Sequence, residues 1–204
     1  IRYWRKQLTI QNSIEYHYPF SFPFDYDLLL SDALKLSPHQ IKQKRTGYGK
    51  NYGMWKEGDE VTHYAAKLDL YKTESVINNP HTKSIIEQCK KLFDAIGCVN
   101  NDIILLEYDD ESYLDWHIDH GYGKEPENYG RINTVLTDNW QESPIIFKDD
   151  NREIPCPSKL AVVNAYNHEH RYDNRGRDKR ILLIMTTKDM SYGDCVDAIK
   201  RMSI

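Results

Sequence analysis

The sequence predicts an α+β fold, mainly β, in which leading helices pack on a β-sandwich or barrel. Three observations predict it. An apolar period of 3.6 residues runs through 83–96, and strand-like runs succeed one another from Asp102 onward. No linker, repeat or low-complexity tract interrupts the 204 residues, a length that suits one domain. Within a single domain 1–204, residues 1–100 read as a helical and loop portion supporting the barrel. Residues 101–188 read as the β core carrying the site, and 189–204 as a C-terminal helix.

In chain order, 26–36 forms a short helix that must end before Pro38. Residues 42–60, rich in Lys, Gly and Tyr, read as an exposed loop or hairpin. The helix at 83–96 places Ile85, Ile86, Cys89, Leu92, Phe93 and Ile96 on one face, and Gly97 stops it. Strands follow at 102–108, 113–119, 131–137, 144–148, 159–165, 168–172 and 180–187. Turn-rich pieces at 121–130, 149–152 and 173–178 separate them.

Composition narrows the function. Hydrophobic residues at 40% and charged ones at 28% fit a soluble globular chain and exclude a disordered one. No apolar run approaches the roughly 18 residues of a membrane helix. A net charge of −4 argues against a bulk nucleic-acid binder, while a local basic groove stays open. Lys42, Lys44, Arg45 and Lys50, interleaved with Tyr48 and Tyr52, read first as a solvated loop and second as a surface for an acidic or nucleic-acid substrate. Cys89, Cys98, Cys156 and Cys195 form no C-x-x-C pair, so reduced thiols and a cytoplasmic location are expected.

The histidines carry the chemistry. His117 and Asp119 stand at i and i+2, so on a strand both project to one face. A distant histidine would complete a set of two imidazoles and one carboxylate, the ligand set of non-haem Fe(II) oxygenases. His170 is preferred over His168 because Arg180 follows it ten positions on, opening an apolar strand. An arginine facing inward there needs a carboxylate, which its planar fork binds bidentately. His120, at i+3 from His117, falls on the opposite face. Simpler roles compete: His117 bonded within a sheet, Asp119 capping a turn, and Arg180 as a surface arginine beside Arg175, Arg177 and Lys179.

The H-x-D pair with a distal His and an Arg ten positions on resembles the 2-oxoglutarate/Fe(II)-dependent oxygenase superfamily. The finer pattern is similar to its aspartyl/asparaginyl β-hydroxylase branch, which includes proline hydroxylases. It is carried by Arg131-Ile132-Asn133 and by His170-Arg171-Tyr172-Asp173-Asn174 with Arg180-Ile181-Leu182-Leu183, and spans about residues 102–187. Asn133 departs from the branch, which has His there. The resemblance implies a double-stranded β-helix, jelly-roll or cupin-like, with N-terminal helices on one sheet. It implies that His117, Asp119 and His170 hold Fe(II), and that Arg180 binds the distal carboxylate of 2-oxoglutarate. Arg131 is a second candidate for that cosubstrate, Asn133 shares its strand face, and Tyr108 resembles tyrosines that bond it.

The expected activity is hydroxylation, with dioxygen, of an unactivated C–H in a free amino acid or a protein residue of the Asp, Asn or Pro class. A nucleic-acid demethylase using the same chemistry and a non-enzymatic cupin-like metal-binding module are the rival readings. The 121–130 loop, with Tyr122, Lys124, Glu125 and Tyr129, is expected to act as a lid. Trp55 and Trp140 read as core or pocket wall. Substrate identity and oligomeric state are not encoded in any motif.

Overall fold

A computed structural model describes residues 15–36, 41–46, 61–71, 74–110, 112–119 and 129–202. The expected lid at 121–128, His120, and the loop 47–60 with Tyr48, Lys50, Tyr52 and Trp55 lie outside the described residues. Among the described residues eleven strands and four α-helices follow one another: β1 (His17–Pro19), α1 (Tyr26–Leu36), β2 (Ile41–Thr46), β3 (Val61–Asp69), α2 (Glu74–Ile77), α3 (Pro80–Ile96) and β4 (Asn101–Tyr108). Next come β5 (Tyr113–His117), β6 (Gly130–Val135), β7 (Ile145–Asp149), β8 (Arg152–Cys156), β9 (Leu160–Val163), β10 (His170–Asp173), β11 (Arg180–Thr187) and α4 (Tyr192–Met202).

Every strand pairing is antiparallel. The strand order is β1-β9-β6-β11-β4-β3-β5-β10-β7-β8, with β2 alongside β3. Between β3 and β5 the ladder narrows to the pair His63 and Leu114. The expected closed barrel is not formed by hydrogen bonds, because β1 and β8 end the path and no ladder joins them among the described residues. The N-terminal portion, expected to hold helices and loop, also supplies β1, β2 and β3 to the sheet. β8 is a further strand beyond those expected; it pairs with β7 through a tight turn in which Asp150 has φ 52°.

Alternation along the central strands divides the interior into two cores. Ile103 and Leu105 of β4, with Ile181, Leu183 and Met185 of β11, face the helices. Ile104, Leu106 and Tyr108, with Leu182 and Ile184, face the other way, where Phe147 of β7 and Tyr172 of β10 meet them. All eight residues of β11 are buried, which its unbroken apolar run requires. Each fully buried Leu, Ile or Phe here contributes about 1.5–3 kcal/mol of transfer free energy.

The helices cover one face. α3 buries Ile85, Ile86, Cys89, Leu92, Phe93 and Ile96, the residues its period selects. It begins three residues earlier than its apolar stripe suggests. Asn79 caps it, accepting the His81 N–H at 2.9 Å, and Pro80 supplies a preset first turn. Gly97 ends it at φ 78°, a left-handed position that disfavours any side chain. α4 opens on a capping box: Ser191 Oγ accepts the Asp194 N–H at 3.2 Å, and Asp194 accepts the Ser191 N–H at 3.0 Å. All four cysteines are free and buried. Among the described residues no helix is long and apolar enough to cross a membrane.

Candidate metal centre

At one end of the second core, β5 and β10 bring His117 and His170 into direct register. Along this pair, Tyr172 opposes Leu114, so three steps on β5 match two on β10. The extra residue is a β-bulge, which turns Leu114 and His117 to the same face despite their odd spacing. Trp116 remains on the outer side, with Arg171 5.1 Å and Lys148 5.8 Å from its ring centroid. Asp119 lies just past the strand, its N–H bonded to the Ala165 carbonyl at 2.9 Å.

His117, Asp119 and His170 converge, with one ligand atom from each lying within 4.8 Å of the others. Asp119 Oδ1 is 3.4 Å from Nε2 of His117 and 3.8 Å from Nε2 of His170. Both imidazoles are oriented from behind. Nδ1 of His117 donates to the Asp115 carbonyl at 2.7 Å, and Nδ1 of His170 to the His168 carbonyl at 3.2 Å. With Nδ1 as the donor, Nε2 keeps its lone pair and aims it at the cluster. His170 Nε2 is buried with no hydrogen-bond partner among the described residues. Burial, with His117 alongside, holds the His170 pKa well below its ordinary value, so the ring is neutral and ready to ligate. Burial alone would raise the Asp119 pKa, but Arg131 and the two histidines bring it far below the usual carboxylate range.

These donors fit a divalent ion. Ligand atoms about 2.1 Å from a small dication, at right angles, lie about 3 Å apart, so a small inward movement completes the set. Two imidazoles and a carboxylate, with no fourth ligand residue in the group among the described residues, make up the donor set of non-haem iron sites.

Arg131 and Arg180 enter the same interior with different fates. Arg131, 4% exposed on β6, places Nη1 on Asp119 Oδ2 and donates from Nε to Asn133 Oδ1 at 2.8 Å. Asn133 Nδ2 then donates to Tyr172 Oη at 2.7 Å. Arg180, 3% exposed at the start of β11, stands opposite Tyr108 in register. Its Nε and Nη1 have no hydrogen-bond partner among the described residues, and the guanidinium carbon is 5.5 Å from the Tyr172 ring centroid. Burial lowers the Arg180 pKa. Burial also raises the pKa of Tyr108, whose ring is 5.9 Å from that of Tyr172.

Seven of the sequence candidates therefore surround one interior: the three convergent donors, Arg131, Asn133 and Arg180, with Tyr108 beside the last. His168 is not among them; its ring packs edge-on against Tyr16 at 4.7 Å and its Nε2 is 4.0 Å from Glu15. Trp140 is partly buried against the second core. Tyr172 is the residue that sequence reasoning passed over, although i+2 from His170 on one strand face is the signal that finds it. Asn174 was also passed over as a support. It is 1% exposed, and its Nδ2 donates to the carbonyls of Asp109 and Asp178 at 2.8 and 3.1 Å, tying the chain after β4 to the approach to Arg180.

No protein-family model matches the chain, and no curated protein matches it. Solved structures do. A prolyl hydroxylase of Trichoplax adhaerens, in complex with a peptide of the hypoxia inducible factor oxygen degradation domain, aligns with a TM-score of 0.59 at 11% identity, covering 91% of this chain and 93% of that one. The non-haem alpha-ketoglutarate-dependent epimerase SnoN of nogalamycin biosynthesis aligns at 0.56 and 10% identity, covering 87% and 80%. A Pseudomonas putida prolyl-4-hydroxylase aligns at 0.52 and 12% identity, covering 88% and 96%. The likeness is one of fold, and these neighbours are 2-oxoglutarate/Fe(II) oxygenases with a double-stranded β-helix.

Proposed function

We propose that this protein is an Fe(II)- and 2-oxoglutarate-dependent dioxygenase that hydroxylates an unactivated C–H of an amino acid, free or within a peptide. One observation carries the reading: a two-histidine, one-carboxylate cluster and a buried arginine, whose Nε and Nη1 are unpartnered among the described residues, flank the same Tyr172 ring. A structural metal site has no use for such a cation. A dicarboxylate that also reaches the metal does, because its far carboxylate pairs the guanidinium. The fold shared with known oxygenases supports the same reading.

In this reading His117, Asp119 and His170 hold the iron, which when bound supplies the activation of dioxygen coupled to decarboxylation of 2-oxoglutarate. Arg180 receives the distal carboxylate, Tyr108 flanks it, and the Tyr172 ring supports the guanidinium. The apolar walls from Ile104, Leu182 and Phe147 keep water from the reacting groups. The substrate enters on the side the three donors leave open. The aspartyl/asparaginyl β-hydroxylase-like branch is the relative this reading favours, with a cytoplasmic location.

The test is a screen of free amino acids, peptides and oligonucleotides for substrate-stimulated succinate formation with Fe(II), 2-oxoglutarate and air. An amino acid or peptide should stimulate, giving a product heavier by one oxygen atom. An isomeric product of unchanged mass would make the protein an epimerase. Stimulation by oligonucleotides alone would make it a nucleic-acid oxygenase. Metal binding with no substrate-stimulated succinate formation would leave only the non-enzymatic metal-binding module.

A further inference from the structure

Asp119 divides its two oxygens between different partners. Oδ1 faces the two histidine Nε2 atoms at 3.4 and 3.8 Å, whereas Oδ2 is taken by Nη1 of Arg131. Arg131 is held in turn through Asn133 to Tyr172, by hydrogen bonds of 2.8 and 2.7 Å. All three supporting side chains are buried: Arg131 is 4%, Asn133 7% and Tyr172 2% exposed. Arg131 and Asn133 stand at i and i+2 on β6, and Tyr172 stands at i+2 from His170 on β10, so the chain of bonds spans the two halves of the sheet.

The direction of each bond is fixed by chemistry. Arg131 has only donors, so Asn133 must turn its carbonyl toward Nε, and its amide nitrogen then faces the Tyr172 oxygen. A flipped amide would set donor against donor. A buried guanidinium deprived of its carboxylate is costly, so Arg131 retains Oδ2 when a cation reaches Oδ1.

We propose that Arg131, Asn133 and Tyr172 are positioning residues that make Asp119 a one-oxygen ligand. Oδ2 stays on Arg131, only Oδ1 is offered to the metal, and the cation keeps three coordination positions open for cosubstrate and dioxygen. An unrestrained carboxylate is free to bind through both oxygens and fill one of them. The inference rests on the metal-centre reading above. It also divides the two arginines, Arg131 serving the ligand and Arg180 the acid, where the family resemblance offered both to 2-oxoglutarate.

Mn(II) without cosubstrate is the probe, because water-proton relaxation counts the exchangeable waters on the bound ion. The parent should bind Mn(II) with three. Arg131→Met should bind it with one fewer, Arg131→Lys should recover part of the difference, and Tyr172→Phe, which keeps the ring beneath Arg180, should shift the count in the same direction. The melting temperature of each metal-free variant reports folding, and Tyr172→Phe supplies the answer if Arg131→Met does not fold. An unchanged water count in both Arg131→Met and Tyr172→Phe, or a loss of 2-oxoglutarate affinity in Arg131→Met with the count unchanged, overturns the proposal. Failure of the parent to bind Mn(II), with Asp119→Ala indistinguishable from it, overturns the metal-centre reading as well.

Discussion

His117 and His170 oppose one another across the β5–β10 ladder, their ring centroids 4.2 Å apart. The pairing makes the ligand set a property of sheet register. A slip of one residue on either strand would turn one imidazole out to the surface. The bulge in β5 and the Nδ1 bonds to the Asp115 and His168 carbonyls hold that register against such a slip.

Removing any one ligand should therefore abolish tight metal binding without unfolding the sheet. His117→Ala, Asp119→Ala and His170→Ala are each expected to weaken Fe(II) binding by more than about a hundredfold, beyond the effect of losing a group that only orients a ligand. His168→Ala, which keeps the backbone carbonyl that orients His170, should retain full occupancy. Anaerobic Fe(II) titration of the four variants is the measurement, and a fully loaded His170→Ala protein would exclude this ligand set.

Arg180→Met keeps the length and apolar stem of the side chain but removes the fork and the charge. Losing a buried, charge-assisted pair costs about 2–5 kcal/mol, so affinity for 2-oxoglutarate should fall at least about tenfold while Fe(II) binding persists. Equilibrium binding of 2-oxoglutarate to the metal-loaded protein checks this. Because Arg180 is buried with Nε and Nη1 unpartnered among the described residues, the metal-free variant should also be no less stable than the parent. A variant that binds 2-oxoglutarate as tightly as the parent would show that the acid is held elsewhere.

Much of this site was legible in the sequence because strand periodicity is short-range. Arg131 with Asn133 needs only the alternation of a strand to share a face, the i, i+2 spacing points Asp119 toward His117 although it lies past the end of β5, and the apolar run after Arg180 marks a strand buried on both sides. What stayed hidden depends on long-range pairing. The partners of Arg131 could not be chosen between Asp119 and an external acid, because that choice is made where β6 meets the end of β5. Tyr172 reads as one more tyrosine among 15 until the β10 register places it beneath Arg180. Strands β2 and β8 escaped because Lys, Arg, Glu and Pro fill them, and edge positions tolerate such residues. The early start of α3 lies in its Asn79–Pro80 cap, a signal outside the apolar stripe.

Gly130 opens β6 one residue before Arg131, where the sheet meets the approach to α4. A Cβ there would stand 2.6 Å from Cys195 Sγ, 2.6 Å from Thr187 Oγ1 and 3.0 Å from the Met190 carbonyl. Gly130→Ala must push α4 away or shift the start of β6, and should cost about 1–3 kcal/mol. Cys195→Ala in the same chain removes one obstacle and should return part of that loss. Urea unfolding of the single and double variants measures both, and parental stability in the Gly130→Ala protein would show that α4 is not held this closely.

His17 gives the fold a pH dependence unrelated to the metal centre. It is 5% exposed on β1, its Nε2 lies 2.9 Å from Ser158 Oγ, and its Nδ1 has no partner among the described residues. Burial lowers its pKa from 6.5 to about 4. Above pH 6.5 the ring is neutral in both folded and unfolded chains, and contributes no slope. Between 6.5 and about 4 the unfolded chain takes up a proton that the folded one refuses, so stability falls as pH falls. At 1.36 kcal/mol per unit the loss across that window reaches about 3 kcal/mol. Other buried histidines add to the slope in the parent, so the diagnostic is a difference. His17→Gln, which keeps a polar group in reach of Ser158, should unfold in urea with a flatter dependence on pH than the parent. The two curves should run parallel above pH 6.5 and separate below it; curves parallel throughout would mean that His17 is protonated as readily in the folded protein as in the unfolded chain.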